Sequence, residues 1–383
     1  MKAKVKSQQF LKKNVLEESL CTGCGACVGL CPYQVIYHDR TVQLHSCDLE
    51  DGRCYVYCPR TLTDTVTLRE MLFHPVDWTP EIGPVKGYYF SRAVDPDLRA
   101  AAQHGGTVTA LMGLALAEGL IDSALVSSRN SEFEQEGSMI RDKKDLQKNA
   151  KSKFTVSPTV AFFHKLVTKD RSRIGIVATP CQALSLAKMK TKPAKEDFDK
   201  VNQLQLVIGL YCGWTLSIEA YSKMLSENNI SRETVRGLDI PAGKNVLEIF
   251  TNQGVKHIPF HEVEACIRTA CKYCLDSTAE YADLSVGSAR FSGDWEEVRK
   301  WNQLIVRTDK GQALVDLAVQ KGVLEIREAP VESLNELKEA AARKKKQALK
   351  NIVQKTGSTK NLLYLDSRDP VVKKYLGARR KNE

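Results

Sequence analysis

Short apolar runs alternate with amphipathic stretches through the middle of this chain. Arg173-Ile-Gly-Ile-Val-Ala leads into Thr179-Pro180-Cys181-Gln182, and Leu204-Gln-Leu-Val-Ile-Gly-Leu leads into Tyr211-Cys212-Gly213. Unbroken apolar runs of this length predict strands buried on both faces, as in a parallel sheet. A helix is expected from about Ser217 to Glu227, another from Ala110 to Gly119, and a third around Val160 to Leu166. Strands are expected at Val85–Val94, over the apolar stretch opening at Leu120, at Leu284–Ser288 and at Leu304–Thr308. Between Asn245 and Phe260 the pattern turns antiparallel around Asn252-Gln-Gly254. Residues 331 to 354 read as one long amphipathic helix. Strands alternating with helices indicate a largely parallel α/β domain.

Breakers divide the chain. Met71 to Pro84 contains His74-Pro75, Pro80 and Gly83-Pro84 and reads as a linker. The expected plan is an N-terminal cysteine-rich module over 1–70, a linker over 71–84, an α/β domain over 85–330, and a basic helix and tail over 331–383. In fold class this is α+β and α/β combined.

Composition narrows the setting. The chain has 383 residues, of which 43% are hydrophobic and 27% charged, enough for two or three packed units. No apolar run approaches the roughly 20 residues needed to span a bilayer. The basic N-terminus has no apolar segment behind it and does not read as a secretory signal. Twelve cysteines, mostly grouped, point to a reducing interior, so a cytoplasmic location is expected. Residues 341–383 hold thirteen Lys or Arg against three Asp or Glu, a difference equal to the chain's whole excess of +10. The run Arg343-Lys-Lys-Lys346 reads first as a solvated helix face, then as a dock for an acidic partner or an anionic coenzyme. Nucleic acid is not expected, because no aromatic platform accompanies the charge.

The cysteines carry the chemistry. Cys21, Cys24, Cys27 and Cys31 stand at spacings two, two and three and are closed by Pro32. Such a run surrounds a [4Fe–4S] cluster, and in two-cluster ferredoxins its fourth cysteine ligates the other cluster. The partner run is Cys47, Cys54 and Cys58-Pro59. By that rule Cys21, Cys24, Cys27 and Cys58 hold one cluster, and Cys31, Cys47 and Cys54 hold a second that is one thiolate short. Asp51 stands where the missing cysteine belongs, so an aspartate-ligated or three-iron cluster is an open alternative. A zinc site or a disulfide knot fits this spacing less well. Cys266, Cys271 and Cys274, with Cys181, form a candidate third cluster, and Cys212 is a spare ligand. Against this, Cys181 and Cys212 also read as small buried thiols at strand ends.

Gln103-His104-Gly105-Gly106-Thr107-Val-Thr109 opens a helix. Paired glycines there let backbone N–H groups approach a phosphate, though they also read as a plain tight turn.

Taken in order, these pieces resemble the coenzyme F420 hydrogenase/dehydrogenase beta-subunit family. The matching residues are the Cys21 to Cys58 module, Gly105-Gly106-Thr107-Val-Thr109, Ser152-Lys153-Phe154, Thr179-Pro180-Cys181-Gln182, Cys271-Lys-Tyr-Cys274-Leu-Asp276, Asp283-Leu-Ser285-Val-Gly287-Ser288 and Trp301 to Thr308. The resemblance implies a bacterial-ferredoxin-like module ahead of a mixed α/β flavin-binding domain. It implies non-covalent FAD beside a [4Fe–4S] cluster, with the deazaflavin coenzyme F420 docking on the flavin. Carried over by position, the FAD contacts are Gly105, Gly106, Thr107, Thr109, Ser152, Lys153, Thr179, Pro180 and Gln182. Lys153 is the electrostatic candidate at the flavin. The cluster ligands beside it are Cys181, Cys266, Cys271 and Cys274. A flavin suits such a junction, since it exchanges electrons in pairs or singly. The implied partner is an oxidoreductase subunit (hydrogenase, formate dehydrogenase, carbon monoxide dehydrogenase or similar) or ferredoxin. The rival readings are a flavin-free electron relay, and a relative that reduces a different acceptor.

Overall fold

The computed structural model describes residues 7–130, 134–166, 172–193, 198–241, 244–290 and 295–377. An eight-stranded sheet organises the larger part. Its order is Leu324–Glu328, Gly87–Ala93, Asn302–Val306, Leu284–Ser288, Leu204–Leu210, Ile174–Ala178, Ser123–Arg129, Gln135–Ile140. The four strands from Leu284–Ser288 to Ser123–Arg129 are mutually parallel. The flanking pairs on either side are antiparallel. The expected parallel α/β domain is therefore present, as the centre of a mixed sheet.

Alternation along the buried strands feeds two cores. Leu206 and Ile208 face a cluster containing Leu111 and Met112 of helix Thr107–Ala117 and Leu314 and Val315 of helix Asp309–Gln320. Leu204 and Val207 face the other side, with Val160 and Phe163 of helix Thr159–Leu166 and Leu186 of helix Pro180–Thr191. Helices thus cover both faces, which is why these strands read as continuous apolar runs.

A smaller antiparallel sheet, Val235–Asp239, Val246–Thr251 and Gly254–Pro259, packs with helix Ile218–Glu227 around its own core. The cysteine-rich module carries the hairpin Gln34–Tyr37/Arg40–Gln43 and docks on the main domain through buried polar contacts. His164 Nε2 lies 3.1 Å from the Ala26 carbonyl, and Arg268 donates to the carbonyls of Thr22 at 2.7 Å and Cys21 at 2.8 Å.

Two sequence expectations come out differently. Residues 71–84, expected as a linker, are exposed at Met71 and around Val76 but packed at their end, where Ile82 is fully buried and Gly83–Pro84 pairs with Trp78–Thr79. The cause is Arg307, whose buried guanidinium donates to the Ile82 carbonyl at 2.8 Å and the Pro84 carbonyl at 2.6 Å. The breakers aim these carbonyls at a charge that has no water. The basic run on helix Val331–Thr356 is also more than a solvated face. Lys345 is 2% exposed and paired with Glu280, Lys344 donates to backbone carbonyls, and Lys346 lies over the Tyr375 ring, whereas Arg343 is exposed beside Glu339. No helix among the described residues is long and apolar enough to cross a membrane.

Candidate functional site

The sheet's central strands end along one edge, where open α/β sheets gather ligands. Thr179 and Cys181 follow the end of Ile174–Ala178, Cys212 follows Leu204–Leu210, and Arg129 closes Ser123–Arg129. Ser288, at the end of its strand, holds His104 Nε2 at 2.8 Å and so ties the Gly105-Gly106 turn to the same edge.

Cys21, Cys24, Cys27 and Cys58 line one enclosed cavity, together with Leu11, Val15 and Leu16 of the N-terminal helical segment. Backbone N–H groups of Gly23 and Thr41 point at Cys21 Sγ (3.5 and 3.4 Å), and that of Arg60 at Cys58 Sγ (3.4 Å). Burial pushes the Cys24 and Cys27 thiols up and lifts Cys58 to about 11, with Lys188 pulling Cys58 the other way. Four such thiols around one space, with amide donors aimed at sulfur, are residues that would hold a cubane cluster as thiolates, although among the described residues no three His, Cys, Asp or Glu are close enough to hold a single metal ion.

Cys31 and Cys47 lie within electrostatic reach of Cys54, whose thiol burial raises to about 11. The loop carrying Cys47 is clamped by helix Ser7–Leu11. Gln8 Oε1 accepts from Cys47 N at 2.5 Å, and Ser7 Oγ accepts from Gly52 N at 2.9 Å. Asp51 is exposed at the rim of this loop. Cys31, Cys47 and Cys54 thus lie in one region of the cysteine-rich module, with Asp51 exposed beside them.

The third site departs from the expected set. Cys271 and Cys274 act on Cys181, and all three act on Cys212, which sits two residues past its strand. Thr215 N–H points at Cys271 Sγ at 3.4 Å, and Lys344 Nζ donates to the Cys212 carbonyl at 2.7 Å. Cys266 lies elsewhere: it is buried in the small-sheet core, 3.8 Å from Met224 Sδ, at the end of helix Phe260–Ala265. The spare cysteine takes the place that sequence proximity gave to Cys266. Cys24 also feels Cys181, so the first and third sites are neighbours.

The anion site is built from a turn and a cationic loop. Gly106 has φ +77°, and a Cβ on Gly105 would meet Asn302 Oδ1 and the Ser91 carbonyl at 2.9 Å each, so both glycines are required. The following helix presents its N-terminal N–H groups, as an anion requires. Asn302 Oδ1 takes the Thr107 N–H at 3.3 Å. Gln103 Oε1 accepts from Ser152 N at 3.0 Å, bringing the Lys151–Phe154 loop alongside. Lys151 and Phe154 have φ +76° and +55°, a strained backbone that persists only where its surroundings hold it. Burial brings Lys153 down to about 8, with Arg129 and Lys151 adding repulsion. Lys153 donates to the Ala150 carbonyl at 3.2 Å and Arg129 to the Val235 carbonyl at 2.9 Å, while Gln103 also donates to the buried Asp239 carboxylate at 2.6 Å, so the region joins a helix N-terminus to a cationic loop with one carboxylate beside it.

Not every carried-over contact points there. The Thr107 hydroxyl is buried 2.9 Å from Ser91 Oγ. Thr179 and Gln182 cap their own helix, Pro180 is buried in its first turn, and Gln182 also donates to the Ser157 carbonyl at 2.7 Å. Thr109 and Ser152 keep partial or full exposure. Sequence reasoning missed Asn302, Arg60, Lys188 and Arg268 as individual residues. Asn302 lay inside a quoted motif, whereas the three cations carry no local signal.

The chain is similar to known proteins over most of its length. Residues 88–164 and 171–332 match the N-terminal and C-terminal parts of the coenzyme F420 hydrogenase/dehydrogenase beta subunit, and residues 15–37 match a 4Fe-4S binding domain. The coenzyme F420 hydrogenase subunit beta of Methanothermobacter thermautotrophicus is 32% identical over 71% of this chain and 95% of its own length. The same hydrogenase subunit of Methanococcus voltae is 28% identical over 71% of this chain and 96% of its own. A solved chain of the F420-reducing [NiFe] hydrogenase complex from Methanosarcina barkeri superposes with a TM-score of 0.66 at 22% identity, covering 76% of this chain and 98% of that one, a likeness of fold. On these matches, with a ferredoxin-type cysteine module in front, the chain belongs to the coenzyme F420 hydrogenase/dehydrogenase beta-subunit family.

Proposed function

We propose that this chain is an oxidoreductase subunit that exchanges a hydride with coenzyme F420 at a bound FAD and conducts single electrons through three iron–sulfur sites to a partner oxidoreductase. The observation that carries this reading is the grouping of the cysteines. Cys24, in the cavity lined by Cys21, Cys24, Cys27 and Cys58, lies within electrostatic reach of Cys181, which neighbours Cys212, Cys271 and Cys274, and Cys31, Cys47 and Cys54 form a further group on the same cysteine-rich module. When bound, the clusters supply one-electron steps and the flavin converts them to a hydride.

The chain's own residues set the stage. The Gly105-Gly106 turn and the helix after it receive phosphate, while Lys153, Arg129 and Lys151 balance its charge. The segment Trp214–Leu216 joins the anion site to the third cysteine site: Leu216 N donates to the Phe154 carbonyl at 2.8 Å, and Thr215 N–H reaches Cys271 Sγ. No side chain near the turn is required as a general acid or base. The exposed rim around Asp51 is the entry for a partner's electrons.

The test is anaerobic purification, release of a yellow fluorescent cofactor on denaturation, and a viologen-driven change in the F420 spectrum. A chain that holds FAD and iron yet leaves F420 unchanged refutes the substrate. A second reading, a flavin-free relay, is favoured by the internal engagement of Thr107, Thr179 and Gln182. Absence of any released flavin decides for it.

A further inference from the structure

Two buried cations that no motif predicts lie beside the first cysteine site, and one of them reaches the third. Arg60 is 5% exposed and two residues past Cys58. Its backbone N–H points at Cys58 Sγ at 3.4 Å, while its guanidinium crosses to the other site. There Nη2 donates to the Ala270 carbonyl at 2.8 Å and Nη1 to the Tyr273 carbonyl at 3.1 Å, the residues just before Cys271 and Cys274. The Tyr364 ring covers it, 4.6 Å from ring centroid to Cζ. Its Nε is buried and has no hydrogen-bond partner among the described residues. An unsatisfied buried donor on a guanidinium is costly, so it needs an acceptor. Lys188 differs: Nζ donates to the Cys58 carbonyl at 2.7 Å and to Thr61 and Thr63 hydroxyls at 3.0 Å each, all on the first-site side.

We propose that Arg60 is a positioning residue shared by two clusters, its fixed charge favouring the reduced state of both the Cys58 cluster and the Cys271/Cys274 cluster. Each cluster gains one electron, and so one negative charge, on reduction. A permanent cation reaching both lowers the cost of that charge at either and keeps the two potentials in step. Lys188 serves the first cluster alone. The proposal rests on the cluster assignment made above.

The experiment is a potentiometric titration of the purified, iron-loaded full chain followed by electron paramagnetic resonance. In Arg60→Gln, reduction of both the first and third clusters becomes about tenfold less favourable, about 59 mV for a one-electron couple. The outer cluster of Cys31, Cys47 and Cys54 does not move. Arg60→Lys, which keeps the charge and loses the fork, recovers most of the shift. Lys188→Gln moves the first cluster only. Unmoved potentials in loaded Arg60→Gln, movement of one cluster alone, or an equal shift in Arg60→Lys overturn the shared-charge role. Should the Gln variant not load, wild type grown on guanidino-¹⁵N arginine decides. Nitrogen modulation on the signal of the reduced third cluster, where Arg60 is the arginine acting on Cys181, supports the proposal, and its absence overturns it. Iron and sulfide analysis separates the failures: wild type with too little iron for both clusters sinks the assignment itself.

Discussion

Arg268 and Asp39 form an ion pair at 3.2 Å that joins positions 229 residues apart, and the same guanidinium donates to the Asp39 carbonyl at 2.6 Å. The pair is the seam between the cysteine module and the α/β domain. Asp39 Oδ2 also accepts from Ile218 N, at the start of the helix over the small sheet. One Arg therefore fixes the Cys21 loop to the scaffold.

Removing it leaves several buried acceptors without a donor. Arg268→Met is expected to cost about 3 kcal/mol of stability, the range for breaking a buried pair from one side. Asp39→Asn in the same background is expected to cost less than the separate changes combined, since the two residues share one interaction. Chemical denaturation of the four proteins measures the coupling. Strict additivity shows that the pair does not act as a unit.

The third site makes a sharper prediction. Cys212→Ser is expected to lose about four irons per chain, those of one [4Fe–4S] cluster, whereas Cys266→Ala keeps them all. Cys266→Ala instead removes one small buried side chain beside Met224, a loss of about 1 kcal/mol. Iron analysis with a thermal melt reads both. Iron loss in Cys266→Ala with full retention in Cys212→Ser reverses the assignment.

These cases show what the sequence carried. The 4Fe-4S binding motif was legible because Cys21, Cys24, Cys27 and Cys31 lie close along the chain at a compact spacing, and the central strands were legible because burial on both faces leaves unbroken apolar runs. The choice between Cys212 and Cys266 was not, because it depends on where strand Leu204–Leu210 ends in space. Cys266, five residues before Cys271, looks like its neighbour in sequence and is turned away by a short helix. Arg60, Lys188 and Arg307 were invisible for a related reason. Each is a lone cation whose role lies in carbonyls contributed from far along the chain. The breakers of 71–84 misled because proline and glycine mark irregular backbone, whether exposed or wrapped around a buried guanidinium.

At the turn, Gly105→Ala is expected to lower flavin content while iron content stays at the wild-type level. The added Cβ meets Asn302 Oδ1, the Ser91 carbonyl and the Lys300 carbonyl within 3.0 Å, so the turn must shift away from Asn302. Absorbance at the flavin and iron–sulfur bands in the same sample separates the two. Equal loss of both means that the turn supports the whole edge and not one cofactor.

The outer site is one thiolate short, and Asp51 lies exposed on its loop. Mild oxidation of the wild type is expected to give a three-iron signal, because the iron without a thiolate leaves most easily. Asp51→Cys is expected to suppress that signal by completing the ligand set. A three-iron signal that persists unchanged in the variant places Asp51 outside the ligand sphere.

Lys153 gives the pH dependence. Its ammonium ionises near 8 in the folded chain, against an ordinary 10.5, because burial and the charges of Arg129 and Lys151 disfavour the proton. Between about pH 8 and 10.5 the unfolded chain holds more of this proton than the folded one, so the residue's contribution to stability rises with pH across that window. Cofactor binding runs the opposite way. An anionic phosphate prefers the protonated lysine, so FAD affinity is expected to be highest below about pH 8 and to fall as pH rises through it. Lys153→Met is expected to bind FAD about tenfold more weakly at pH 7, the worth of one charge-assisted hydrogen bond of about 1.5 kcal/mol, and to lose the fall between pH 7 and 9. Lys153→Arg, which stays charged throughout, is expected to restore the pH 7 affinity and carry it unchanged to pH 9. Flavin fluorescence titrations of the three proteins at both pH values settle the point, and a fall in affinity that survives in Lys153→Met assigns the titration to another group.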